Sequence, residues 1–491
     1  MLVLAMTSSG CVIDRGVLEG PRVDSGVTVL PDSAVDAYSL FDVPPDAVVR
    51  PDVNLDVGMV VTPDAPVDAA MMVPPDAWTP PDTSLVCTEG ATRCNDANSL
   101  GRCDANVWVT ASPCALGCAD TPAPHCRVMV PSTVAASEMN GTADVNLAGT
   151  MPDPTFHFVD TSACSGSLAG GTLRVVGDHC VYAVRSLRVS PGAILVSTGT
   201  RPLIVLAIGD IQVEAGGSIV ASGYTYEEGE GMPLAPVRGR FLTAGPGASA
   251  MGAGGTGVTI GSRDGGGGGG GFCSNGAAGG NGVQSGEMTA NAGAGGSAVV
   301  PAAIGDRVFR GGASGGNGNM GRGGGGGGAI QLSARGRLTV SGFVVATGGA
   351  GEGGPGGRSA GGGGSGGMIL VEATELMLNP GSLVVRGGGG GGAGCFQPGV
   401  SEEGSHGENG VVGTAGGAGG RCSADNVGGD GGSASSVAAP AAGAGAPNIN
   451  GGGGGGGVGC VSIRRADAST FDTAIVPNIP GVTALGPLLS E

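Results

Sequence analysis

Four stretches of the chain share one pattern of hydrophobic and polar positions. Each has an apolar–any–apolar start, a tight turn at Gly or Pro-Gly, a second short apolar run and a closing glycine. Such short alternating runs are typical of β-strands, and each strand is too short to bury its apolar side alone. We therefore expect the copies to stack on one another. The four copies are LRVSPGAILVSTG (187–199), IQVEAGGSIVASG (211–223), LTVSGFVVATGG (338–349) and LMLNPGSLVVRGG (376–388).

The spacing of these copies predicts an all-β fold of the parallel β-helix, or β-solenoid, type. The first two copies begin 24 residues apart, close to one turn of a parallel β-helix, whereas the third and fourth begin 38 apart. The extra residues in the longer spacing form a glycine-rich stretch. We therefore interpret such stretches as long insertions between coils. We assign residues 128–491 to this glycine-rich β-solenoid. The alternative is a β-sandwich, but that fold does not require the same sequence unit to occur four times. The glycine tracts occupy 223–328, 348–367 and 387–457.

Glycine supplies 106 of the 491 residues, whereas aromatic residues make up 3%. Glycine loses the most backbone entropy on ordering, but only glycine lets extended backbones pack very closely, as at the collagen axis. The strict G-X-Y period of collagen is missing. We expect packed glycine layers beside the solenoid, and the alternative is a fringe of mobile loops. In composition the tracts resemble the glycine-rich repeat regions of mycobacterial PE-PGRS proteins, although the PE domain is absent.

The opening residues, MLVLAMTSSGCVID, resemble the end of a bacterial lipoprotein signal peptide, with Ser9 and Gly10 before Cys11. The resemblance implies lipidation of Cys11, so we assign residues 1–11 as a partial signal. Ser8 departs from the pattern, and the basic segment that opens a signal peptide is missing. We expect translation to start upstream of Met1. The alternative is an ordinary cysteine without lipid. Since no apolar run reaches the ~18 residues of a membrane helix, we expect any attachment to be through lipid.

Residues 12–86 form a Pro/Asp-rich linker that we expect to be disordered. Residues 14–86 hold 13 acidic residues and three arginines, a net charge of −10 within the −18 of the whole chain. Proline disfavours helix in the residue before it, and the aspartates repel one another. This acidic tether argues against binding to nucleic acid. The dipeptide Pro-Asp recurs at 31–32, 45–46, 51–52, 63–64, 75–76 and 81–82.

Residues 87–127 form a small cysteine-rich module. So short a segment cannot build a core of its own, so six cysteines indicate three disulfides, with fifteen possible connectivities. Zinc is the alternative, disfavoured because no CxxC pair is present and only His125 could add a nitrogen ligand. The module resembles small Cys-rich modules in surface proteins of myxobacteria and related predatory bacteria. Its cysteines are Cys87, Cys94, Cys103, Cys114, Cys118 and Cys126.

The other cysteines outside the lipidation motif are also predicted to be disulfide-bonded, which indicates an oxidising compartment. Cys164 and Cys180 are close enough in sequence to form a local pair. The remaining four lie in or beside glycine tracts and are interpreted as cross-links of those tracts. They are Cys273, Cys395, Cys422 and Cys460.

No residue set identifies a reaction. Gly-x-Ser-x-Gly matches at Ser314 and Ser365 arise by chance in so glycine-rich a chain and lack the helix of a nucleophile elbow. His179 adjoins Cys180, but a disulfide explains that cysteine better than catalysis. Polysaccharide-cleaving β-helices line up carboxylates along adjacent coils. The acids of the presumed coils show no such spacing; they are mainly Asp210, Glu214, Glu372 and Glu375.

We therefore predict a protein without catalytic residues, cofactor or metal. The predicted role is that of a secreted bacterial lipoprotein of the outer membrane surface, structural or adhesive in function. Its expected partners are the membrane, through the lipid, and extracellular matrix, polysaccharide or other cells, but not nucleic acid. One alternative is a carbohydrate-binding or polysaccharide-degrading β-helix. Another makes the six-cysteine module the binding element and the solenoid its spacer.

Overall fold

The structure is a computed structural model that describes most of the chain from residue 87 onward. The chain divides into two compact units, 1–78 and 79–491, and every described residue belongs to the second. The predicted lipidation residue Cys11 and the linker 12–86 lie outside the described residues. So do residues 169, 224–243, 247, 250–251, 261–262, 283–288, 300–308, 398–399, 411–416, 423–449, 466–481, 488 and 491.

The cysteine-rich module consists of short antiparallel strands. A three-stranded sheet has the order β1-β2-β3, and β4 pairs with β5. A two-residue turn joins β2 to β3, and both of its residues, Ala105 and Asn106, have positive φ (49° and 63°), as a tight hairpin turn requires. The strands are β1 (Thr92–Asp96), β2 (Ser99–Asp104), β3 (Val107–Pro113), β4 (Cys118–Ala119) and β5 (His125–Cys126).

The rest of the described chain is built from strands that recur in the same order. Its first part contains β6 (Met129–Val130), a 3-10 helix (Ala136–Glu138), β7 (Asp144–Leu147), β8 (Thr155–Asp160), β9 (Ser165–Gly166), β10 (Thr172–Val176), β11 (His179–Val184), β12 (Ser186–Val189), β13 (Ala193–Thr198), β14 (Leu203–Ala207), β15 (Ile211–Val213) and β16 (Ser218–Val220). Its second part contains β17 (Thr259–Ile260), β18 (Arg263–Asp264), β19 (Ala329–Val340), β20 (Phe343–Val345), β21 (Met368–Leu378), β22 (Leu383–Val384), β23 (Cys395–Gln397), β24 (Val400–Glu402), β25 (Cys460–Arg465), β26 (Val482–Pro487) and β27 (Leu489–Ser490).

Two large, mainly parallel sheets form the centre of the second unit. In the larger sheet, β11, β14, β19, β21 and β25 pair in parallel in that order, and β7, β12 and β15 pair in parallel beside them. The smaller sheet has the order β22-β20-β16-β13-β8-β9. The long strands β19 and β21 bend at a break in register after Ala334, so that one strand serves both parts of the larger sheet.

The four repeated units are stacked in register. Leu187 pairs with Ile211, Ile211 with Leu338 and Leu338 with Leu376. Val145 extends the same row before Leu187. The predicted stacking of the repeated apolar pattern is therefore present, and the described fold is almost entirely β.

Alternating side chains of these strands form the main hydrophobic core. In β11, β14, β19, β21 and β25, one inward row joins Tyr182, Val205, Leu332, Val371 and Ile463, all of which are fully buried. Stacking thus buries apolar side chains that a single short strand would leave exposed to water. Among the described residues, no helix is both long and apolar enough to cross a membrane.

Candidate functional site: a glycine bundle and two buried polar clusters

The described parts of the three glycine tracts lie side by side and bond through their backbones; we call them the glycine bundle. The chain enters the bundle from the ends of β20 and β22 and leaves it directly into β19, β21 and β25. The bundle therefore continues the path of the stacked strands. Its segments are 252–260, 264–282, 289–299, 309–328, 346–367, 385–394, 404–410, 417–422 and 450–459.

Segment 265–271 bonds to six neighbouring segments. The N–H groups of Gly265, Gly268 and Gly271 donate to one neighbour at 2.8–2.9 Å, and the residues between them donate to two others. The carbonyl groups accept hydrogen bonds from three further segments, and the donating segment likewise repeats at every third residue. A repeat of three residues per turn without internal hydrogen bonds is that of a polyproline II helix. The six neighbours are 252–258, 277–280, 293–296, 313–316, 360–363 and 451–457.

Segment 360–367 is surrounded in the same way. Gly361, Gly364 and Gly367 donate to segment 346–352 at 2.7–2.9 Å, while the intervening N–H groups alternate between two other neighbours. Every residue of this segment is buried. A buried backbone needs a partner for each N–H and C=O group, and here the partners come from other glycine segments instead of from a sheet.

The close approach of these backbones explains why the tracts are glycine. A Cβ atom built on Gly268 would overlap with the carbonyl group of Ala294, and one built on Gly364 would overlap with that of Gly325. Both obstacles are backbone atoms, which cannot turn aside as a side chain can. Glycine at these positions is therefore a packing requirement.

The outer segment 275–281 has its solvent-exposed residues at regular positions. The exposed residues are Asn275, Ala278 and Asn281, one at every third position. Asn275 and Asn281 also accept backbone N–H groups of the next segment through their Oδ1 atoms, at 2.6 and 2.8 Å. Ala277, which lies between them, is buried, so the three-residue period belongs to the exposed positions and not to every non-glycine residue.

A buried carboxylate joins several segments at one end of the bundle. Asp264 is fully buried, and its carboxylate accepts from Asn319 Nδ2 at 2.9 Å and lies 3.5 Å from Arg358 Nη1. The backbone N–H of Asp264 donates to Asn450 Oδ1 at 3.0 Å, and the Asn450 amide donates to the carbonyl of Gly357. We call these residues the Asp264 cluster. It ties together the ends of segments that are distant in sequence.

A second buried carboxylate lies on the outer face of the larger sheet. Glu372 is fully buried and accepts hydrogen bonds from Gln331 Nε2 and Ser333 Oγ, each at 2.8 Å. The N–H of Ser132 donates to it at 3.2 Å, and the Ser132 hydroxyl also donates to it. Arg464 Nη1 lies 2.6 Å from Ser132 Oγ. We call these residues the Glu372 cluster. Ser132 belongs to the segment that follows the cysteine-rich module, so the cluster holds that segment against the sheet.

The other predicted acids lie at hydrogen-bond or ion-pair distance from arginines. Glu214 lies 2.7 Å from Arg188, and Glu375 lies 2.9 Å from Arg337. Asp210 accepts the backbone N–H of Arg337 at 2.7 Å. Opposite charges on adjacent strands stabilise a sheet face modestly. Each of these carboxylates is thus engaged by an arginine side chain or its backbone.

The cysteines predicted to form disulfides lie at separations that suit them. Their Cα–Cα distances run from 5.0 to 5.8 Å, within the range of disulfide geometry. The structure also selects the connectivity, which the sequence left open. The pairs are Cys87–Cys103, Cys94–Cys118, Cys114–Cys126, Cys164–Cys180, Cys273–Cys460 and Cys395–Cys422.

The serines that match the nucleophile-elbow pattern make hydrogen bonds within the glycine bundle. Ser365 is fully buried in the bundle, where its hydroxyl accepts the N–H of Ala313 at 2.8 Å. The Ser314 carbonyl accepts a backbone bond within the bundle. Burial lowers the pKa of His179, although a backbone bond at Val176 and the charge of Asp178 oppose this effect. Among the described residues, no group of three or more His, Cys, Asp or Glu side chains is placed to hold a metal ion.

Compared with protein families, with characterised proteins and with solved structures, the chain has no significant match to any of them.

Proposed function

We propose that this protein is a non-enzymatic, surface-displayed structural or adhesive protein whose stacked strands form a β-solenoid. In this proposal Cys11 carries the lipid, the acidic linker 12–86 is the tether, and the outer membrane surface is the location. The glycine bundle, whose segments run directly into β19, β21 and β25, stiffens the solenoid. The proposed partners are extracellular matrix, polysaccharide or other cells.

The observation that carries the proposal is the six-neighbour packing of segments 265–271 and 360–367. Their backbone groups are bonded to other backbone, so these interior residues present no chemical group to a substrate. Glycine costs more entropy to order than any other residue. A protein that orders so much glycine gains stiffness and a regular surface, which suit a structural or adhesive role better than catalysis.

Adhesion is tested on cells that display the full chain, compared with cells that carry an empty vector. We expect more displaying cells to be retained under flow on surfaces coated with polysaccharide, matrix or other cells. A Gly268→Val, Gly364→Val double variant displayed at the same level should lose this retention if the packed bundle is needed. Equal retention of displaying and empty cells on every coating would contradict an adhesive role.

Anchoring is tested by palmitate labelling of cells that express the chain with its upstream reading frame. Labelling should be lost in Cys11→Ser if that residue carries the lipid. Labelling that survives the substitution rules the anchor out.

The alternative is a carbohydrate-binding or polysaccharide-degrading β-helix. Its support is an aromatic pair on β8, Phe156 and Phe158, whose ring centroids lie 6.2 Å apart. Phe158 is 44% exposed, and partly exposed aromatic rings offer apolar faces to a ligand. Release of new reducing ends from a polysaccharide by the purified chain would favour degradation. Binding without release, lost in Phe158→Ala, would favour a carbohydrate-binding module.

A further inference from the structure

The cysteine-rich module ends in a strand with a free edge. Strand β3 is the last strand of the sheet β1-β2-β3 and pairs with no other described strand. It is seven residues long, and all but one of them are exposed. Val107 and Val109 are 60% and 42% exposed, among the most exposed large hydrophobic residues that the structure describes.

This edge carries little of the usual protection against pairing with another chain. Exposed edge strands are normally blunted by charged side chains, by proline, by bulges or by being short. A bulge interrupts the β2–β3 pairing at Ala111, so the regular part of the edge is 107–110. The β3 sequence, VWVTASP, has no charged residue, and its proline, Pro113, stands at the end. Such an edge is a template for another β-strand.

The hairpin fixes which backbone groups point outward. Asp104 and Val107 flank the two-residue turn and pair with each other, so Val107 and Val109 direct their N–H and C=O groups towards β2. The backbone groups of Trp108 and Thr110 therefore point to the free edge.

We propose that two copies of this chain associate by antiparallel pairing of their β3 strands about a two-fold axis at Val109. In that register Trp108 exchanges backbone hydrogen bonds with Thr110 of the second copy, and Thr110 does the same with Trp108. Val109 lies opposite Val109 of the second copy in a non-hydrogen-bonded pair, where side chains are closest. The two three-stranded sheets become one six-stranded sheet, with identical surfaces in contact.

The charge distribution favours a second copy as the occupant. The whole chain has a net charge of −18, whereas the module 87–127 holds four acidic residues and three arginines, a net of −1. Two copies therefore meet at a part of the chain that is nearly neutral. The guanidinium of Arg93 lies 4.4 Å from the centroid of the Trp108 ring, and Arg102 on β2 is paired with Val109. Arg102 would lie three strand spacings, about 14 Å, from its counterpart, beyond the screening length at physiological salt.

Sedimentation equilibrium of the full chain tests the proposal, with Cys11→Ser to exclude association through lipid. We expect a monomer–dimer equilibrium whose dissociation constant rises at least about tenfold in Val109→Lys. The matched control is Val175→Lys, which changes an exposed valine on another edge strand, β10, and should leave the equilibrium unchanged. Near-UV circular dichroism, recorded in a Trp78→Phe background in which Trp108 is the remaining tryptophan, checks that the module is folded.

A covalent variant tests the register. Two Val109→Cys copies should form a disulfide-linked dimer, since Cα atoms in a non-hydrogen-bonded pair are about 4.5 Å apart, within disulfide range. Asn106→Cys, at the turn, should not link to itself. A chain that is monomeric at every concentration overturns the proposal, and so does a dimer that Val109→Lys leaves intact. A dimer without the Val109→Cys link overturns the two-fold register.

Discussion

The N–H of Gly268 donates to the carbonyl oxygen of Gly255 at 2.9 Å, and on its other side the α-carbon of Gly268 lies against the carbonyl group of Ala294. One glycine thus makes a hydrogen bond to one neighbour and a close backbone contact with a second. This double relationship is repeated at glycines of segments 265–271 and 360–367, so the close packing of these backbones depends on the absence of side chains at those positions.

Gly268→Ala should destabilise the chain by about 3 kcal/mol, since the added methyl group forces the backbones of two segments apart. Urea denaturation with the disulfides intact measures the change. The control is Ala278→Val, which enlarges an exposed side chain on a neighbouring segment and should change the unfolding free energy by less than about 0.5 kcal/mol. Equal midpoints for the two variants would contradict the packing role of Gly268.

The amides of segments 265–271 and 360–367 should exchange with solvent as slowly as those of β21. Their N–H groups are buried and bonded, and exchange of such amides requires opening of the structure. Hydrogen exchange followed by mass spectrometry, with fragmentation that resolves single segments, measures this. Exchange of these segments within seconds would show instead that the tracts are a mobile fringe.

Glu372→Gln should destabilise the chain by about 2 kcal/mol, because an amide group would place an N–H donor among the donors that now bond to the carboxylate. The matched control lies on the same strand. Glu375 is 56% exposed in its side chain and pairs with Arg337, so Glu375→Gln should cost less than about 1 kcal/mol. Thermal and urea unfolding compare the two variants, and similar losses would argue against a closed Glu372 cluster.

Asp264→Ala and Arg358→Ala should differ in effect although the two residues form one ion pair. Asp264 is fully buried, so its removal leaves the Asn319 amide and the cluster unsatisfied, at a cost of about 2 kcal/mol. Arg358 is 45% exposed in its side chain, and its loss should cost less than about 1 kcal/mol. The free energies of unfolding of the two variants test this difference. A larger loss of stability for Arg358→Ala than for Asp264→Ala would contradict it.

Stability should fall in weak acid partly because of His179. Burial lowers the pKa of His179 in the folded chain, so between that pKa and the ordinary value near 6.5 the unfolded chain binds more protons. The folded state is therefore favoured above about pH 6.5 and loses stability as the pH drops below it. His179→Gln should reduce the difference in melting temperature between about pH 7.5 and 5.5. An unchanged difference would show that other groups account for the acid sensitivity.

The strands and their stacking could be predicted from the sequence because side chains encode them. The alternation around Leu187, Ile211, Leu338 and Leu376 marks which face of each short strand must be buried, and only stacking buries it. The presence of disulfides could be predicted for the same reason, because six cysteines in a short module have few other uses.

The partners of each glycine segment could not be predicted. A side chain specifies its neighbour by shape and polarity, and glycine has none, so the sequence of segment 265–271 is compatible with many packings. The exposed residues Asn275, Ala278 and Asn281 recur at every third position, but this period does not say which segment lies next to them.

The sequence by itself determined that the chain is β-rich, that four units repeat, and that close backbone packing was open to its glycine tracts. Only the tertiary structure decided which cysteines pair, which six segments surround each interior glycine segment, and that Glu372 is closed over by Ser132. These contacts join residues far apart in the chain. Their partners are chosen by three-dimensional proximity and by the need of buried backbone and polar groups for hydrogen bonds, neither of which local sequence expresses.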